Sequence, residues 1–172
     1  MQKVYPLILT VFLLGCQPER KPYPTHDVGY IDPQKAIHPS PDFKICGLEK
    51  DILQYYNHNQ PGDKPAGYTG GPKAIKKHIR TYYPELDLGR ESGMFTVRFI
   101  INCEGKTGRF EIFENNLDYV PSPFNPKTRE QLLKLTRELE NWRANYMDGD
   151  YRDSFMYITY RIENGKITEI LP

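Results

Sequence analysis

Between residues 93 and 114 the chain alternates. Phe95, Val97, Phe99 and Ile101 are apolar at every second position, with Thr96 and Arg98 between them and Asn102 after them. Successive side chains of a strand point to opposite faces, so this is a strand with one buried face, and by parity Cys103 continues that face. Glu104-Gly105-Lys106-Thr107-Gly108 reads as a turn, and Arg109 to Glu114 returns with Phe110 and Ile112 on one side. The segment is a hairpin with a five-residue connection. It constrains the rest of the chain, because its apolar face has to be covered by another layer.

Helical spacing supplies the cover. Leu48, Ile52, Leu53 and Tyr56 fall on one face of a predicted helix over 47–59. The Gly- and Pro-rich stretch 60–72 is a loop. Lys73 to Tyr82 follows with Pro72 suited to its first turn and Ala74, Ile75, His78, Ile79 and Tyr82 as its inward stripe. The longest predicted helix runs from Pro126 to Trp142, with Leu132, Leu135, Leu139 and Trp142 facing the sheet. Phe155 to Ile162 is a third strand, with Met156, Ile158, Tyr160 and Ile162 alternating. Asn164-Gly165 is a two-residue hairpin signal that would return Ile167 to Leu171 as a short last strand. The expected fold is α+β: a small antiparallel sheet with two or three helices packed on one face. The 13 Tyr and 8 Phe agree with an aromatic-rich core.

The N-terminus carries a different message. Lys3 precedes Val4 to Leu14, an apolar run interrupted by Pro6 and Thr10. It is shorter than the roughly 20 residues a spanning helix needs, and it suits the apolar core of a secretory signal. Leu13-Leu14-Gly15-Cys16 follows directly and resembles the bacterial lipobox. That resemblance implies a lipoprotein signal peptide over 1–15 and a lipid on the thiol of Cys16, which makes a membrane the first partner. Residues 16–42 carry Pro18, Pro22, Pro24, Pro33, Pro39 and Pro41 without apolar periodicity, and read as a flexible tether. Residues 43–67 read as a helical segment and loop, and 68–172 as the main folded unit. Gln17 is not the Asp associated with inner-membrane retention, so the expected place is the outer membrane, facing the periplasm. With 23 Lys and Arg against 22 Asp and Glu, charge gives no case for nucleic acid.

The folded part resembles the C-terminal domain of TonB and its relatives. Gly70-Gly71, a short helix, Tyr83-Pro84 and then Gly93-x-Phe95-x-Val97-x-Phe99-x-Ile101-x-x-x-Gly105 carry the likeness. Leu139-x-x-Trp142, Gly149 and Tyr157-x-Thr159-Tyr160-x-Ile162 extend it over residues 68–165. Lipoproteins with such a domain look typical of Bacteroidota. The resemblance implies a non-enzymatic protein- or peptide-binding module that captures an envelope protein by strand addition. Its partner-binding positions would be Tyr157 and Thr159 on the third strand, with Ile167 and Ile170 on the last segment forming a displaceable cover of that edge. Here a lipid anchor and a short tether stand in place of a transmembrane helix and a long spacer.

Catalytic groupings are sparse. No Gly-x-Ser-x-Gly elbow or phosphate loop is present. His26, His38, His58 and His78 are scattered, and a zinc site from Cys46, Cys103, His58 and His78 has no recognised ligand spacing. Asp148, Asp150 and Asp153 surround Gly149 but lack the ligand order of a calcium loop, so they read as a turn. No metal or cofactor is expected. The alternative to an interaction module is an envelope hydrolase with a site between helix and sheet. Export permits a disulfide between Cys46 and Cys103; two buried thiols are the other reading, and the sequence leaves both open.

Overall fold

The structure is a computed structural model that describes residues 31, 42–54, 56, 60–84 and 86–171. In chain order its elements are β1 (Leu53–Gln54), β2 (Gly67–Tyr68), α1 (Gly71–Tyr82), β3 (Gly93–Ile101), β4 (Thr107–Asn115), α2 (Pro126–Arg137), β5 (Trp142–Arg143), β6 (Asn145–Met147), β7 (Asp150–Arg152), β8 (Ser154–Glu163) and β9 (Lys166–Leu171). The signal peptide over 1–15, Cys16 and nearly all of the tether lie outside the described residues.

The alternating segment β3 is the centre of the molecule. It pairs antiparallel with β4 on one side and with β8 on the other, from Gly93↔Ile162 to Ile101↔Ser154. The main sheet runs β1-β8-β3-β4, and β9 also pairs with β8. Two small two-stranded sheets, β2-β5 and β6-β7, lie beside it.

The expected α+β layout of a small antiparallel sheet under two or three helices is corrected. Strand makes up 38% of the described residues and helix 21%, in nine strands and two α-helices, so the fold is dominated by β-structure. Three local causes account for the difference. Among the described residues the helix expected over 47–59 is replaced: Glu49–Asp51 form one 3-10 turn, and Leu53–Gln54 join the sheet. Cys46 and Gly47 donate their backbone N–H groups to the carboxylate of Asp153, and Leu53 N–H donates to its carbonyl. Those donors are tied to the sheet instead of to a helical ladder. Leu53 and Gln54 also run parallel to Ser154 and Phe155, so the sheet is not wholly antiparallel. Finally, the long helix stops at Arg137. Asn141 takes a left-handed φ of 70°, and Trp142 pairs with Tyr68 as a strand.

Parity still decides what is buried. Phe95, Val97, Phe99 and Ile101 meet Ile75 and Ile79 of α1 and Leu132 and Leu135 of α2 in the main core. Trp142 stands edge-on between Tyr68, 5.1 Å away, and Phe99, 5.0 Å away. Buried Tyr160 shares a hydrogen bond of 2.9 Å with Thr136 of α2, which satisfies the phenol inside the core. Ile100 and Phe155, of opposite parity, form a second cluster on the other face with Ile31, against which Phe43, Ile45 and Ile52 pack. Ile31 is 1% exposed, so this part of the expected tether contributes to the fold.

Candidate functional site

The partner-binding positions expected from the sequence come first. β9 pairs along β8 from Thr159↔Leu171 to Glu163↔Lys166. Thr159 is buried and its hydroxyl shares a 2.8 Å hydrogen bond with that of Thr96 on β3. Ile170 belongs to the main core and Ile167 packs against it. Tyr157 alone of the four is exposed, and its side chain lies on the opposite face from Met156 and Ile158. The four residues therefore do not form one partner surface.

The last strand is also no loose cover. Asn164 and Gly165 turn with φ of 50° and 74°, and Gly165 lies so close to Gly89 that a β-carbon would sit 1.9 Å from its carbonyl oxygen. Gly165 N–H donates to Glu91 O, and Asn164 N–H to the Ser92 hydroxyl. These bonds and Ile170 build β9 into the fold.

At its start, β8 is held by another device. Cys46 and Cys103 are joined, with sulfurs 2.08 Å apart and α-carbons 6.0 Å apart. Beside them, one Asp153 oxygen accepts from Cys46 N–H at 2.8 Å and Gly47 N–H at 2.7 Å, and the other from Cys103 N–H at 3.0 Å. A buried carboxylate surrounded by backbone donors is satisfied without a cation. The sequence placed Asp153 in an acidic turn; its donors lie 107, 106 and 50 positions away, beyond any local pattern. Cys46, Cys103 and Asp153 are also close enough to hold a metal ion, but both sulfurs are engaged in the bond.

The other side of the sheet is finished differently. Among the described residues no strand pairs with the outer side of β4 between Arg109 and Phe113. Glu114 turns its carbonyl outward to Ser122 N–H, so by antiparallel alternation Ile112 also turns its N–H and C=O outward. The window is short. At one end Arg109 has φ 55° where the register shifts, and at the other the chain folds back, Asn115 bridging to Pro121. Its charges are matched within the chain. Arg109 grips Glu49 with two contacts of 2.7 Å, and Arg129 grips Glu114 at 3.0 and 2.6 Å. Arg98 lies 3.6 Å from Glu111 and over the Phe113 ring. Burial lowers the Arg98 pKa and Glu111 opposes the shift, whereas the hydrogen bond to Glu114 raises that of Arg129.

Depressions among the described residues include the following three. One of about 380 Å³ lies between Tyr82, Tyr83, Pro84 and Gln131, and one of about 370 Å³ between Phe43, Lys106, Arg137 and Trp142. At the first, burial and then the hydrogen bond that Tyr83 donates to Glu138 push its pKa up to about 12. The third, about 160 Å³, lies where β2, β5 and α1 meet β8 between the ends of β1 and β9. His78 stacks on Tyr82 with ring centres 4.6 Å apart, and the other three histidines lie outside the described residues. Comparison of the chain with family models, curated proteins and solved structures finds no match.

Proposed function

We propose that this chain is an exported lipoprotein, anchored through Cys16 in the outer membrane and facing the periplasm. Its folded part would be a non-enzymatic interaction module similar to the TonB C-terminal domain. A partner supplies an extended segment that pairs with the outer side of β4. The observation that carries the reading is the outward-turned backbone of Ile112, in a window whose charges are already neutralised. Unpaired strand edges accept another strand through main-chain hydrogen bonds. The signal-like N-terminus and the order of apolar positions support export and the family likeness.

The test is site-specific photo-crosslinking in cells. A photoreactive side chain at Ile112 should yield a defined envelope adduct, and one at Thr159 should not. Absence of an adduct at position 112, or an equal yield at 159, overturns the assignment. Fatty-acid labelling that persists in Cys16→Ser would remove the anchor.

A further inference from the structure

The cavity beside β8 lies apart from the outer side of β4. Tyr68, Ile75, Trp142, Met156, Ile158 and Leu171 provide its apolar lining. At about 160 Å³ it is well below the roughly 300 Å³ where drug-sized pockets begin, and it has room for one apolar side chain. Trp142 makes a rigid wall, because its indole N–H donates to Leu139 O at 2.9 Å and its ring is held against Tyr68 and Phe99.

Among the described residues one charged side chain lines this cavity, that of Arg143. Arg143 takes part in none of the ion pairs formed by the described residues. Its guanidinium lies across Gly67, where a β-carbon would sit 3.8 Å from Nη2. Among the described residues no acidic side chain lines the cavity to compete for it. A single-side-chain pocket whose one lining cation has no ion pair among the described residues is complementary to an apolar group that carries a carboxylate. A peptide's C-terminal residue bears both on one α-carbon, so one ordered residue delivers both contacts at little entropic cost.

We infer that this cavity binds the C-terminal residue of a peptide, its apolar side chain inside and its terminal carboxylate on Arg143. Trp142 is the single tryptophan of the chain and lines the cavity, so its fluorescence reads occupancy. The full chain in detergent is titrated with a synthetic heptapeptide ending in Leu, the same peptide amidated at its C-terminus, one ending in Ala, and octanoate. The Leu free acid should bind about fivefold more tightly than its amide, the size expected of a partly exposed ion pair. It should also bind more tightly than the Ala-terminated peptide. Arg143→Gln should abolish the difference between acid and amide, and Arg143→Lys should retain part of it. The inference is overturned if acid and amide bind the parent alike, if no peptide binds, or if octanoate binds as tightly as the Leu acid. None of these outcomes bears on crosslinking at Ile112.

Discussion

Strand β8 is paired on its outer side by two separate pieces of chain, β1 at Ser154–Phe155 and β9 at Thr159–Glu163, whereas β4 ends the sheet with no further strand among the described residues. The β8 cover is anchored by the Cys46–Cys103 bond, the Asp153 carboxylate and buried Ile170. On β4 the protection is local: a register shift at one end, a returning loop at the other and paired charges between. Bulges and charges blunt an edge without closing it. The two strands beside β8 have thus become part of the core, and β4 retains a short opening.

Removing β9 should have the largest effect. A chain ending at Glu163 loses Ile170 from the core and the whole β8–β9 ladder, and should lose more than about 4 kcal/mol of stability or fail to fold. Urea unfolding of the two full preparations decides this. An unchanged midpoint would return β9 to the role of a displaceable cover.

Next comes the joint Cys46→Ala and Cys103→Ala change. The bond spans 57 positions, and losing it should cost about 4 kcal/mol in the chain-entropy model. Hydrogen exchange at Leu53 should accelerate more than exchange at Glu111, which pairs into β3 on the far side. Equal acceleration at both would mean that the bond holds the sheet as a whole and not its β1 margin.

A smaller loss is expected from Asp153→Asn. An amide group turned toward backbone N–H donors leaves at least one unpaired, at a cost of about 1–3 kcal/mol. Chemical unfolding measures it, and a neutral result would mean that water replaces the carboxylate.

Least costly should be Ile112→Pro. Proline is tolerated where a strand's N–H faces outward, so the loss should be about 1 kcal/mol from weakened apolar contact. Ile158→Pro, in β8 opposite Val97 of β3, should prevent folding. If both changes are equally damaging, β4 is not the open side.

Periodicity made the hairpin, the core face of β8 and the helix after Pro72 legible. A two-residue or 3.6-residue repeat records which side of an element meets the core, whatever that core is. The same patterns misled where long-range bonds competed with local ones. Leu48, Ile52, Leu53 and Tyr56 have helical spacing, yet Asp153 captures the N–H groups of Cys46, Gly47 and Leu53 and draws that segment onto the sheet. Trp142 was read at the end of a helix and reaches the same core from a strand, since apolar spacing specifies burial and not the backbone that delivers it. Cys46 and Cys103 named a disulfide without establishing it, because pairing depends on a Cα–Cα approach of 6.0 Å that no spacing records. Arg143 carried no signal at all: its place in the lining of an apolar cavity follows from the pairing of Gly67 with Arg143 and of Tyr68 with Trp142. The sequence by itself determined which faces are apolar and where the hairpins turn, since both are written in neighbouring residues. Only the tertiary structure decided which strand lies at an edge, which carboxylate is enclosed and which cation lines the apolar cavity, since each depends on chain segments meeting across tens of residues.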